Sequence, residues 1–255
     1  MNLFITLLLC PHKNQENGVD LIKDVLIVLS TPEAGAFIWF VCCWVGYTYY
    51  SESNATRRPS LSNTLHRHRE IWMSNMLMRD NRVADAALLA NLERNVAFFA
   101  STSIIIIAGI LTLFGSIDRL DSVPFIDAEL QKTWAEKLLI LAGIFVYAFF
   151  KFTWSLRQYG FACVMVGSAP INVGVGNLIG SGVFYRDSAL VISRAAHAFN
   201  LGLRSYYFAL AFIVWFVSGW GFVCASALVV CVLYRREFKS KVLMALIRSN
   251  AENGS

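Results

Sequence analysis

VAFFASTSIIIIAGILTLFG, residues 96–115, carries no charge and places isoleucine at each of positions 104 to 107. As an α-helix rising 1.5 Å per residue, a stretch of roughly 20 residues covers about 30 Å, the thickness of a bilayer's hydrocarbon core. A helix apolar on every side is stable only inside a large core or in lipid. This stretch therefore reads as a transmembrane helix, and the rest of the chain is read outward from it.

Upstream, residues 66–94 lack Gly and Pro. Trp72, Met76, Val83, Ala87 and Ala90 recur there at steps of three, four or seven, while Arg79, Arg82 and Glu93 fall on another face. That pattern predicts one amphipathic helix feeding directly into the span at 96–115. Residues 51–65, with Arg57-Arg58-Pro59-Ser60, read as a polar linker. Before them, Thr31-Pro32-Glu33 offers a cap, a proline suited to the first helical position and a carboxylate at the positive helix end. The uncharged run 34–50, roughly 17 residues, is near the minimum for crossing. It closes on Tyr47, Tyr49 and Tyr50 like an interfacial aromatic belt, and is read as the first span. Residues 21–30 are expected to form a short helix beside it. Residues 1–20 lack the positive start of a signal peptide, and 1–30 is taken as an N-terminal extension.

Downstream, Asp118, Asp121, Asp127 and Glu129 make an acidic loop. Thr133-Trp134-Ala135-Glu136 then fits a capping box, predicting a helix that starts there, crosses by about Leu156 and continues towards Gly167. Pro170 and the glycines at 174, 176, 180 and 182 end regular structure, so 161–184 is read as a helix end and loop rather than an extra span. Residues 187–204 form an interfacial amphipathic helix and 205–234 the last span, long enough to tilt or protrude. A basic amphipathic tail, 235–255, carries Arg235, Arg236, Lys239 and Lys241 beside Phe238, Val242 and Leu246.

Composition agrees with a lipid environment. Of 255 residues, 56% are hydrophobic and 15% charged, outside the soluble average. The net charge of +5 is clustered, which suits lipid headgroups better than a nucleic-acid groove. The cysteines at 10, 42, 43, 163, 224 and 231 form no C-x-x-C pair and read as packing residues. Arg57, Arg58, Arg67, Arg69, Arg79, Arg82 and Arg94 place the first connection in the cytoplasm, and the acidic loop lies outside. Four spans would then send the basic tail outside, against the same rule. A fifth span, or a hairpin within 161–234, would remove that conflict.

Several motifs in order carry a family resemblance. They are Trp72-Met73-x-x-Met76-Leu77-x-Arg79-Asp80-Asn81-Arg82-x-x-Asp85, Phe98-Phe99-Ala100-Ser101-Thr102, Ala148-Phe149-Phe150-Lys151-Phe152-Thr153-Trp154-Ser155-x-Arg157-Gln158, and Phe199-Asn200-x-Gly202-Leu203-Arg204-x-Tyr206-Tyr207-Phe208-Ala209-Leu210-Ala211. From about residue 35 to 248 the chain resembles a family of bacterial and plant multi-pass membrane proteins known only as a domain of unknown function. The resemblance implies a membrane fold and no activity, substrate or catalytic residue.

Candidate ligand or ion-pair residues are Arg79, Asp80, Arg82, Asp85, Glu93, Lys151, Arg157 and Arg204. Arg82 and Asp85, three apart on a helix, are expected to pair. The bland reading of this cluster is an ion-pair network that docks the helical extension; the sharper one is a phosphate or ion site. Lys151, followed by Ser155 and Gln158, is expected to snorkel or to pair with Glu93 or Asp85, the alternative being a ligand or permeation role. His66-x-His68-x-Glu70 is set aside as a metal site because alternate helical residues point about 200° apart. Small residues Ala97, Ser101 and Ala108, or Gly221 and Ala225, permit close helix packing, within one chain or between chains.

The sequence thus predicts an all-α integral membrane protein with about four transmembrane helices in 31–234. Its second and third helices extend into the cytoplasm, with 60–95 as a helical extension. No catalytic residue, metal site or cofactor is expected. The partners expected are the bilayer and further copies of the chain, not nucleic acid. The function expected is that of a non-enzymatic oligomeric scaffold or regulatory protein of the inner membrane, with a small oligomeric channel or transporter for an ion or small solute as the alternative.

Overall fold

The computed structural model describes residues 32–54, 60–117, 128–170 and 178–252. The N-terminal extension, the acidic loop and the Gly-rich stretch before 178 lie outside the described residues. Among those described, the chain is helical: α1 (Pro32–Asn54), α2 (Leu61–Leu77), α3 (Val83–Phe114), α4 (Ala128–Ser168), α5 (Leu178–Ile213), a 3-10 turn (Val214–Phe216), α6 (Gly219–Phe238) and α7 (Lys241–Glu252).

Three helices, Val83–Phe114, Gln131–Ser168 and Gly182–Phe216, are long and apolar enough to cross a membrane. α4 has 41 residues, so it is about 60 Å long at 1.5 Å per residue, twice a hydrocarbon core. A helix of that length set along a membrane normal overhangs the hydrocarbon core, and the half of the bundle that holds α2 is the projecting half on that geometry. α3, α4 and α5 form the scaffold, α3 and α5 parallel to each other and α4 antiparallel to both, as the cross-helix pairs Phe99–Phe152 and Phe99–Tyr206 require.

Two hydrophobic cores lie along this bundle. In the projecting half, Met73, Met76, Leu77, Leu89 and Ile192 are wholly buried with Phe152. In the other half, Phe40, Phe208, Phe212 and Phe222 are buried in a second cluster with Trp215. There the rings fill the interior edge to face and stacked, as between Trp215 and Phe222 at 4.8 Å. By contrast, only 22% of the most apolar window of α3 is buried, and Phe98, Ile104, Ile105, Leu111 and Leu113 face outward. So wide an apolar face in water would drive aggregation; it fits lipid or a partner helix.

The structure corrects several expectations. The predicted continuous helix 66–94 is two helices reversing at 78–82, because Asn81 Oδ1 accepts from the Val83 backbone N–H at 2.9 Å in an Asx turn. The linker 51–65 is shorter than read: α1 runs on to Asn54, and α2 starts at Leu61 with the Ser60 hydroxyl accepting from Asn63 N. The capping-box residues 133–136 lie inside α4, which begins at Ala128 and buries Gln131 and Lys137 against its neighbours. Gly180 and Gly182, read as loop, lie within α5. The expected interfacial helix 187–204 is part of that same helix.

The largest correction concerns 205–234. It is not one span: α5 ends at Ile213, the 3-10 turn follows, and Ser218 caps α6 by accepting from Gly221 N at 3.2 Å. α6 then returns antiparallel to α5, with Phe222 beside Phe212 and Arg236 donating to Tyr207 OH. The hairpin brings the basic tail to the projecting end, where His68 Nε2 lies 3.2 Å from Leu246 O of α7. Arg235 and Arg236, assigned to the tail from sequence, form the last turn of α6.

Candidate functional site

The charged residues singled out from sequence fall into two groups rather than one. At the projecting tip, Asp85 is fully buried in the first turn of α3. Its Oδ1 accepts from Trp72 Nε1 and from Arg79 Nη1, each at 2.7 Å, while Oδ2 has no partner among the described residues. The expected Arg82–Asp85 pair does not form. Arg79 takes that place because the reversal at 78–82 turns it back over α3. Arg82 instead donates to the carbonyls of Ala169 at 2.7 Å and Pro170 at 2.5 Å. These carbonyls lie just past the C-terminus of α4, where a cation complements the helix dipole. Asp80 is exposed beside them. Both guanidinium groups are thus committed to internal acceptors, and the cluster ties α2, α3 and α4 together.

Lys151 pairs with neither Glu93 nor Asp85. Its ammonium lies 5.2 Å over the Tyr147 ring, one turn back on the same helix, because Asp85 is a long way further along the bundle. Glu93 accepts from Cys163 Sγ at 3.6 Å, and Arg157 lies over the Phe161 ring. Ser155 and Gln158 do not extend Lys151 into a polar file: Ser155 donates across to the Ala195 carbonyl at 2.7 Å and Gln158 to its own helix.

The second group surrounds Arg204, where α1, α2, α5 and α6 meet between the two cores. Here a cleft of about 480 Å³ adjoins a second hollow of about 220 Å³, and both are lined by Ser62, Asn200, Arg204 and Glu237. Arg204 Nη2 donates to Ser51 Oγ at 2.8 Å, and its guanidinium sits 5.2 Å over the Tyr47 ring. Nη1 is buried with no partner among the described residues. Around it, His197 Nε2 is 3.4 Å from Glu52, and Arg194 reaches the same cleft.

His66 lies between Ser193 Oγ, 2.8 Å from Nδ1, and Glu70, 3.5 Å from Nε2. That is the order of a nucleophile, a base and an orienting carboxylate. Yet Ser193 sits mid-helix, where neighbouring backbone N–H groups are already bonded and cannot form an oxyanion hole. Arg69 Nη1 also donates to Ser193 Oγ, at 3.3 Å. The set is best read as a polar tie between α2 and α5. Burial pulls the Arg69 guanidinium below its ordinary value, an effect that Tyr159 opposes. It stays charged because a guanidinium starts so high.

Sequence reasoning found Arg204 but not the rest of the cleft: Glu52, His66, Ser193, His197, Asn200 and Glu237 come from four separate helices. It also missed Lys137, buried at the opposite end of the bundle, 4.7 Å over the Trp215 ring and 3.7 Å from Glu33. A lysine one turn ahead of an uncharged run was the available signal. His66 and His68 diverge as their spacing requires, one facing Ser193 and the other the tail.

A helical bundle with three membrane-length apolar helices and a polar cleft between its two cores defines the class: an all-α protein of the membrane. The profile of one family, described as protein of unknown function, DUF599, matches residues 35–242, and the chain belongs to that family. Comparison with curated proteins and with solved structures gave no match.

Proposed function

We propose that the chain is a non-enzymatic scaffold or regulatory protein of the inner membrane, working as a homo-oligomer. In this reading α1 and α6 join the three long helices, so that five segments cross. The projecting half and α7 then share the cytoplasmic face, where Arg67, Arg69, Arg79, Arg235 and Arg236 satisfy the positive-inside rule without the earlier conflict.

The observation that carries the scaffold reading is the aromatic filling at membrane level. Phe40, Phe208, Phe212 and Phe222 are at most 2% exposed and fill the axis of this half with apolar rings among the described residues. The hydroxyls of Thr102, Ser103 and Thr112 donate to carbonyls of their own helix. Support for self-association comes from Ser101, Ala108 and Gly109, which face outward on α3, where close helix contact needs small side chains. The alternative is a conduit between chains, favoured by the outward position of Ser101 and Thr112 on that face.

The test is to purify the full chain in mild detergent, measure its mass by light scattering, and reconstitute it in liposomes loaded with an ion-sensitive dye. An oligomer that dissociates on Ala108→Leu, with no flux above empty liposomes, is expected. A monomer would overturn the scaffold reading, and protein-dependent flux would replace it with the conduit.

A further inference from the structure

We infer that the paired cleft around Arg204 binds the headgroup of a phospholipid, its phosphate held by Arg204 and its glycerol region lying in the smaller hollow.

Two observations point to an amphipathic ligand. Each hollow has walls of both kinds: the larger sets Ser193, Arg194, His197 and Glu52 beside Leu190, and the smaller sets Leu61, Leu65, Leu203 and Leu233 beside Arg69, Arg236 and Glu237. They are continuous through Asn200 and Arg204. A soluble phosphate compound has no use for the leucine walls; a lipid meets both kinds.

Charge selects the phosphate. Arg204 lines both hollows and holds one arm on Ser51, while its buried Nη1 has no partner among the described residues. An unmet buried donor is costly, and an anionic oxygen is the strongest acceptor that could satisfy it. The two carboxylates in the wall, Glu52 and Glu237, give an ammonium group a place at the same time. The preferred headgroup is therefore phosphoethanolamine rather than a purely anionic one.

Position agrees. The cleft lies where the uncharged run of α1 ends, beneath Tyr47 and beside Tyr207, whose hydroxyl accepts from Arg236 at 2.8 Å. Tyrosine and arginine at one level mark the headgroup region of a bilayer. This inference is independent of whether the chain assembles.

The experiment is native mass spectrometry of the full chain in mild detergent, titrated with phosphatidylethanolamine, phosphatidylglycerol or soluble glycerol phosphate. Wild type is expected to retain phosphatidylethanolamine in preference to the other two. Arg204→Gln should weaken it about tenfold or more, as loss of a charge-assisted hydrogen bond implies. Asn200→Leu fills the passage between the hollows without touching a buried charge. It should weaken binding similarly while thermal unfolding stays near wild type, so a folding defect in the arginine variant leaves the inference testable. The Glu52→Gln, Glu237→Gln double variant should lose the preference over phosphatidylglycerol. Equal binding by wild type and Asn200→Leu would overturn the site. Competition by glycerol phosphate at matched concentration would overturn the lipid and leave a soluble phosphate compound as the ligand.

Discussion

Gly202 sits where α5 crosses α4, and replacing it with alanine tests the packing on which the bundle rests. A Cβ at this position would lie 2.5, 2.7 and 2.8 Å from three carbons of the Phe152 ring. Carbon atoms in contact settle at about 3.5–4.0 Å, so the ring or the helix must move by about an ångström. Phe152 has little room to do so: it is fully buried, with the ring centroids of Phe99 and Tyr206 at 5.6 Å and that of Phe199 at 5.7 Å. Overpacking of this kind costs about 1–3 kcal/mol, against which alanine gains about 1 kcal/mol of helix propensity over glycine. Gly202→Ala should therefore destabilise by about 1 kcal/mol, and Gly202→Val by more. Phe152→Leu should relieve part of the clash, giving a coupling of about 1 kcal/mol in a double-mutant cycle. Denaturant unfolding in detergent micelles, followed by circular dichroism, measures each. If Gly202→Ala proved as stable as wild type or more so, the close crossing of α4 and α5 would be refuted.

Other outcomes follow from the same contacts. Asp85→Ala leaves Trp72 Nε1 unpaired and removes the partner of Arg79; because Arg79 is half-exposed, the loss should be about 2–3 kcal/mol rather than the full cost of a buried pair, read from unfolding midpoints. Lys151→Met, which removes the contact with the Tyr147 ring and a charge that acts on His197, should change stability by less than about 1 kcal/mol; a larger loss would mean that the ammonium has a partner of greater weight. Reporter fusions at Asn63 and after Ser255 should read the same side of the membrane and a fusion at Ser122 the opposite one, and a C-terminal reporter matching Ser122 would contradict the α5–α6 hairpin.

Much of the fold was legible because lipid imposes a single demand. Uncharged runs identify themselves, so the helices containing 34–50 and 96–115 were readable from composition, and the long helix continuing towards Gly167 from composition and a capping pattern, although its start was not. The break at 78–82 was not. Helical periodicity runs straight through it, and the turn is held by Arg79 and Arg82 donating to acceptors distant in the fold or out of helical phase, and by Asn81 accepting from the Val83 backbone N–H. The hairpin at 214–218 carried a signal in Ser218-Gly219-Trp220-Gly221, but glycine is common enough in membrane helices to be passed over there. Of the charged residues at the tip, Asp85 pairs with Arg79 and not with the expected Arg82, because spacing along one helix says nothing of a chain that turns back.

The sequence by itself determined that the chain is helical and that its longest apolar runs suit lipid. These are consequences of solvation, which acts on each segment separately. Only the tertiary structure decided which cations share a place, which glycine a crossing helix needs, and that the tail returns beside α2. Those depend on groups far apart in the chain meeting across helices whose length and direction no local pattern records.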